Sequence, residues 1–151
     1  MEESEATTGK GWAASSLDRI GEGPGFRKVR HAIDVKEMGV NAIVLPPRYQ
    51  AGSHFHECQE EVYFVHEGEV TFVFGDGETT TVEAGGVVRV DAATHRQLRN
   101  ETAEPVTIEV FASPCASTRE TDGCATNASM TGGASGPATR RATSPIVSFM
   151  R

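Results

Sequence analysis

The sequence has little of what usually announces a function. It contains one Trp, two Tyr and three Cys in 151 residues, and aromatics make up 7% of the chain. Three cysteines, an odd number, do not build a disulfide framework. Basic residues are outnumbered, 14 against 21 acidic, for a formal charge of −7. That balance argues against binding a phosphate backbone, which wants clustered Lys and Arg, so no nucleic-acid partner is expected. No apolar run approaches the roughly 20 residues needed to span a bilayer, so no membrane partner is expected either. The opening MEESEATTGKGW is acidic and polar, unlike a secretory signal peptide, and a cytoplasmic location is expected. A P-loop, a GxGxxG after a strand, a GxSxG elbow and a CxxC pair are all missing, so nucleotide handling and serine hydrolysis find no support.

The apolar residues that are present are unevenly spread. From Ala112 to Arg151 more than half of the residues are Ala, Ser, Thr or Gly, and Phe149 is the sole aromatic. Such a stretch buries too little apolar surface to offset its ordering entropy. Residues 114–151 therefore read as a low-complexity, disordered tail, and residues 1–16 as a flexible N-terminal segment. The folding unit is residues 17–113, long enough for a small core. Cys115 and Cys124 are expected to be exposed, inert thiols. Asn127-Ala128-Ser129 matches a glycosylation sequon without a secretion signal to give it meaning, and the final IVSFMR is a candidate docking strand.

Inside the folding unit the pattern is short strands and turns. Gly39 to Leu45 is β-rich and is stopped by Pro46-Pro47. Glu61 to Val65, Glu69 to Phe74, Glu78 to Glu83, Gly86 to Val90, Arg96 to Asn100 and Pro105 to Phe111 follow as further strands. Asp76-Gly77 is a hairpin signal between two of them. No segment offers a sustained helical stripe, and turn signals recur about every 8–12 residues. The expected class is all-β, an antiparallel sandwich or barrel of the jelly-roll kind.

Chemistry-bearing residues concentrate in Gly52-Ser53-His54-Phe55-His56-Glu57-Cys58-Gln59-Glu60-Glu61. On a strand, residues i and i+2 point to one face, so His54 and His56 can converge on one ion. A tight turn brings the Glu61 carboxylate beside the imidazoles. Two His and one carboxylate form a facial set suited to Fe(II), with Mn, Ni, Co or Zn as alternatives, and leave coordination positions open. The competing reading is a chance His-x-His on a polar strand edge. Tyr63, two residues after Glu61, shares its face and lines the pocket. His66 reads as a surface residue, and Cys58 as passive.

The spacing His54-x-His56-x4-Glu61-x6-Gly68 resembles the first motif of the cupin family, and Gly85 to Asn100 resembles the second. The resemblance covers about Phe26 to Phe111. It implies a single-domain β-barrel of jelly-roll type holding a divalent metal inside, and a homodimer paired through its sheets. Position 48 is Arg where the family has glycine, and Asp91-Ala92-Ala93 replaces the usual Pro-x-Gly turn. Counting back from Asn100 puts Arg96, rather than His95, at the fourth ligand position. Two alternatives follow: three protein ligands, or His95 bending in from the loop as the fourth. Arg96 either holds a substrate carboxylate or is a solvated strand Arg paired to an outward Glu. Arg48 and Tyr63 join Arg96 as candidate substrate-binding residues, and Tyr63 and His95 are the candidate acid–base groups. The expected function is a metal-binding cupin that acts on or binds a small organic molecule, by dioxygenase-like or isomerase-like chemistry. The alternative is a non-catalytic small-ligand-binding or sensor cupin with a partial or vestigial metal site.

Overall fold

The structure is a computed structural model that describes residues 6–115. The expectations for residues 116–151, among them Cys124, the sequon and the final IVSFMR, lie outside the described residues. The expected strands all form, and they stack as two facing sheets. One sheet has the order β5 (Tyr49–Gln50), β10 (Arg96–Asn100), β7 (Glu69–Phe74), β8 (Thr79–Glu83). The other has the order β3 (Gly25–Arg27), β4 (Gly39–Leu45), β11 (Val106–Ala112), β6 (Glu61–Glu67), β9 (Val87–Val90). Pairing in both is antiparallel. This is the all-β jelly roll that the pattern predicts.

Period-two alternation places the core between the sheets. Tyr63 and Val65 of β6, Val70 and Phe72 of β7, Leu98 of β10 and Ile108 and Val110 of β11 are all buried in one cluster. Their outward neighbours are charged, polar or only partly covered, as a sheet with one wet face requires. The β7–β8 turn uses Asp76-Gly77 as expected. Gly77 takes φ +90°, a conformation that a side chain disfavours, and the Asp76 carboxylate accepts from the Glu78 N–H at 2.9 Å. Gly68, between β6 and β7, has φ +84°, and a Cβ there would approach Val106 to 2.9 Å. Glycine at that motif position is thus demanded by both backbone and space.

Three features differ from expectation. Within the segment read as flexible, β1 (Thr7–Gly9) and β2 (Trp12–Ala14) pair as a hairpin around Lys10-Gly11, with Gly11 at φ +80°. Two single-turn helices, α1 (Leu17–Ile20) and α2 (Val29–Ala32), precede β4; they are too short to show a helical stripe in sequence. The third difference concerns the cysteines. Cys58 and Cys115 form a disulfide across 57 residues, with Cα atoms 5.3 Å apart. Cys58 is therefore not passive, and Cys115 is neither exposed nor a free thiol. The antiparallel pairing of Ala112 with Glu61, extended by bonds between Ser113 and Glu60, brings the end of β11 to the loop before β6. An odd count of cysteines hid one genuine pair. A disulfide persists best in oxidising surroundings, which leaves the cytoplasmic expectation without structural support.

Candidate metal centre

His54 and His56 do not lie on a regular strand. The segment is extended and pinned to β10 and its preceding turn. His54 exchanges both backbone hydrogen bonds with Arg96, at 3.0 and 2.9 Å, and the His56 N–H donates to the Ala92 carbonyl at 2.8 Å. This anchoring turns both imidazoles inward, edge to face with ring centroids 5.4 Å apart. Residues 57–60 then reverse the chain, and Glu61 opens β6 with its side chain on the same inner side. Glu61 and His56 are buried, and His54 is nearly so.

The three side chains meet as the spacing predicts. One ligand atom from each of His54, His56 and Glu61 lies within 4.8 Å of the other two. The Nε2 of His56 is 3.0 Å from Oε1 of Glu61, and the Nε2 of His54 is 3.9 Å from its Oε2. With metal–ligand bonds of about 2.1 Å, adjacent donors in an octahedral shell stand about 3.0 Å apart, so the His56–Glu61 pair already has the spacing of neighbouring ligands. The Nδ1 atoms of both histidines are buried with no hydrogen-bond partner. Two imidazoles and a carboxylate are the donor set for a borderline divalent ion, so the residues present fit such a metal.

Glu61 is also held from behind. Arg96, fully buried, donates to Glu61 Oε2 from Nη2 at 2.6 Å and from Nε at 3.2 Å. The Tyr63 hydroxyl donates to the same oxygen. Burial alone would push the Glu61 carboxyl up. Hydrogen bonds from His54 and His56, with the charges of His56 and Arg96, outweigh it and hold the carboxyl well below the usual carboxylate range. The reverse holds for Tyr63. Burial and then the charge of Glu61 push its hydroxyl well above the ordinary phenol value, so it stays protonated. Oε2 is therefore occupied by protein donors, and Oε1 is the oxygen left to face an ion.

The remaining sequence candidates fall elsewhere. Strand alternation on β10 sends Arg96, Leu98 and Asn100 inward and His95 outward. His95 is exposed with its ring 4.6 Å from that of Phe55, and it is neither a fourth ligand nor an acid–base group in the cavity. Arg96 lies inside as counted, yet its role differs from both alternatives. Its Nη1 donates to the Ala92 and Thr94 carbonyls at 3.1 and 2.8 Å, so each nitrogen of the guanidinium bonds to protein, and the carboxylate it holds is that of Glu61. Arg48 is exposed, with a backbone φ of +56° and its guanidinium on the Glu101 carbonyl, away from the cavity. Tyr63 does line the cavity, although its hydroxyl is engaged. His66 is on the surface, 3.8 Å from Glu109.

Sequence reasoning named the polar end of the cavity and missed its walls. Phe26, Ile43, Leu45, Ala51, Leu98 and Val110 line it together with His54, His56, Glu61 and Tyr63. Its volume is about 520 Å³ with the open mouth included. The wall residues come from β3, β4, β10, β11 and the segment after β5, and each looks like an ordinary core residue in sequence. Alternation could mark them as inward-facing but could not tell a cavity wall from packed core.

Residues 42–112 match the model of the family described as Cupin domain. No curated protein matches the sequence. Among solved structures, a sugar phosphate isomerase from a cupin superfamily of Silicibacter pomeroyi is similar, with 25% identity over 59% of this chain and a TM-score of 0.54. The chain spans 58% of that isomerase's length. A conserved protein with a double-stranded β-helix domain from Klebsiella pneumoniae has 20% identity and a TM-score of 0.60, covering 68% of this chain and 90% of its own. A cupin protein from Bacteroides fragilis has 19% identity and a TM-score of 0.59, covering 84% and 98%.

Proposed function

This protein carries a cupin domain at residues 42–112, and from that premise we propose that His54, His56 and Glu61 hold a divalent metal to which a small organic molecule binds inside the barrel. The observation that carries the reading is the convergence of three ligand atoms within 4.8 Å at the polar end of an otherwise apolar cavity. The metal, Fe, Mn, Ni, Co or Zn, would supply Lewis acidity and open coordination positions for a donor atom of the substrate. The protein's own contribution is orientation and exclusion of water. Arg96 and Tyr63 fix the carboxylate, and Phe26, Ile43, Leu45, Ala51, Leu98 and Val110 hold an apolar substrate body.

Of the two chemistries expected, the dioxygenase-like one fits the lining better. An isomerase-like reaction needs a side chain free to take and return a proton. Among the described lining residues outside the ligand set, Tyr63 is the one ionisable group. Its hydroxyl is bonded to Glu61 and kept protonated. The same lack of a free acid–base group favours, as a second reading, a ligand-binding or sensor cupin that performs no reaction.

Metal analysis of purified wild-type protein and the His54→Ala variant tests the metal reading; equally little metal in both would remove it. Oxygen uptake by the loaded protein on a substrate panel separates the oxygenase from the sensor. We also propose a homodimer through the outer face of the five-stranded sheet. Val87 is 66% and Val62 36% exposed there, beside the partly covered Phe64 and Phe111. By strand register Val62 lies beside Phe111, and Phe64 beside Val87, with Arg89 and Glu109 among them, and apolar residues grouped on an exposed face favour a docking surface. The formal charge of −7 supports a small molecule rather than nucleic acid as the partner. Among the described residues, no helix is long and apolar enough to cross a membrane.

A further inference from the structure

We propose that the Cys58–Cys115 disulfide positions two of the three metal ligands, His56 and Glu61, and that its reduction by a dithiol weakens metal binding. The centre is thus loaded under oxidising conditions and emptied under reducing ones. The inference rests on the metal centre proposed above and adds its regulation.

The bridge enters the chain between the ligands. Cys58 stands two residues after His56 and three before Glu61, in the reversal that leads from one ligand to the other. The barrel fixes both ends of that reversal. The His56 N–H bonds to the Ala92 carbonyl at 2.8 Å, and Glu61 pairs with Ala112 of β11 and Val90 of β9. Glu61 is the first residue of β6 and Ala112 the last of β11, and strand ends are where a ladder opens first. Past them the Ser113 N–H donates to the Glu60 carbonyl at 2.9 Å, and the Ser113 hydroxyl accepts from the Glu60 N–H at 3.0 Å. The Cys58–Cys115 bond closes this extension, with Cα atoms 5.3 Å apart. It therefore clamps the end of the β6–β11 pair at the residue that presents Oε1 to the ion. Released from the clamp, residues 57–60 gain conformations in which His56 and Glu61 lose their 3.0 Å ligand spacing.

The bond is open to exchange from one side, since Cys58 is exposed and Cys115 is buried. A thiolate of the dithiol attacks Cys58 Sγ and forms a mixed disulfide, while Cys115 leaves as a thiolate and takes a proton. The reductant's second thiol, as thiolate, then attacks its own sulfur in the mixed disulfide. Cys58 leaves and is protonated in turn. Two electrons pass from the dithiol to the bridge, and the dithiol ends as a cyclic disulfide. Coupling between two equilibria is reciprocal. If the bridged form holds metal more tightly, bound metal must protect the bridge from reduction by the same factor. A bridge that only stabilises the fold shows neither effect in molecules that stay folded.

The experiment measures Mn(II) binding, by the EPR signal of the free ion, to oxidised wild type and to Cys58→Ser/Cys115→Ser. Mn(II) favours oxygen over thiolate donors, so dithiols and freed cysteines compete for it only weakly. Binding about tenfold weaker is expected in the double variant, the lower end of what losing support for a ligand costs. Val70→Ala, a core change at a residue that does not line the cavity, should bind Mn(II) as wild type does. In a second arm, wild type is equilibrated with mixtures of reduced and oxidised dithiothreitol, with and without Mn(II), and thiols are counted by alkylation and mass. Saturating Mn(II) should raise the ratio of bridged to reduced protein about tenfold. Equal Mn(II) affinities, tighter binding by the double variant, or a ratio that Mn(II) leaves unchanged overturn the proposal. An equal loss of affinity in Val70→Ala would mark a general stability effect and overturns it too. If the double variant does not fold, the second arm decides on wild type, with circular dichroism following the fold. A reduced protein that unfolds makes the bridge purely structural and overturns the proposal. Failure of oxidised wild type to bind Mn(II) or Zn(II) removes the metal centre itself, a result distinct from a bound metal indifferent to the bridge.

Discussion

Arg96 and Glu61, 35 residues apart in sequence, form a buried ion pair with Nη2 and Oε2 separated by 2.6 Å. The pair sits on opposite sheets, β10 and β6, and joins them at the polar end of the cavity. Neither charge reaches water, so each depends on the other for compensation.

Removing both partners should therefore cost less than the two single removals added together. Glu61→Gln is expected to destabilise the metal-free protein by about 3–5 kcal/mol, because the Arg96 cation stays buried and unpaired. The double variant Glu61→Gln/Arg96→Met should lose clearly less than the sum of the single losses. Urea unfolding of the four proteins measures this, and strictly additive losses would show that the pair is not coupled.

Acid should reveal the same pair. The Glu61 carboxyl lies below its ordinary range in the folded protein, although burial opposes this, because hydrogen bonds from both histidines and the charges of His56 and Arg96 favour the anion. A depressed folded value means that the unfolded chain binds the proton first. The stabilisation is then complete above the unfolded value of about 4.3 and is lost as pH falls below it. Urea midpoints of metal-free wild type and Glu61→Gln should differ by a constant amount above about pH 5.5 and converge towards pH 3. A difference that is flat throughout would contradict the assignment.

Metal affinity should fall in both histidine variants. His54→Ala and His56→Ala each remove one of three ligands, and a loss of at least about 100-fold in affinity is expected, of the order seen when even supporting residues of a metal site are changed. Equilibrium dialysis with elemental analysis provides the measurement. A His95→Ala control should bind metal as wild type does, since His95 faces outward.

The Cys58–Cys115 bond closes a loop of 57 residues beside the ligands. Chain entropy gives such a closure about 4 kcal/mol. Cys58→Ser and Cys115→Ser should lower the urea midpoint equally, and reduction of wild type should reproduce either. Hydrogen exchange should quicken first around Glu60 and Ser113, whose mutual bonds lie next to the bridge. Three free thiols in the unfolded, unreduced protein would disprove the bond.

The exposed valines give a further test. Val87→Asp introduces a charge on β9, the edge strand of the proposed dimer face, at a residue that does not line the cavity. Sedimentation equilibrium should show a dimer for wild type and a monomer for the variant, with metal binding unchanged. A monomeric wild type would discard the dimer.

Much of this was readable in the chain. Period-two alternation and the turn residues determined the strands from Gly39 to Ala112, because side-chain direction in a strand follows sequence parity and needs no tertiary information. The same parity set Arg96 inward and His95 outward, and the i, i+2 spacing with a short reversal brought His54, His56 and Glu61 to one side. Parity states only which way a side chain leaves the backbone. What it meets there depends on which strands cross the barrel, and that was decided in three dimensions. The antiparallel pairing of β11 with β6 carried Cys115 to Cys58, turning an odd cysteine count into a bridge. The approach of β10 to β6 gave Arg96 the Glu61 carboxylate as its partner, in place of a ligand or solvent. An ion pair or a disulfide between residues 35 or 57 positions apart leaves no local trace, because its energy comes from groups that only the fold makes neighbours.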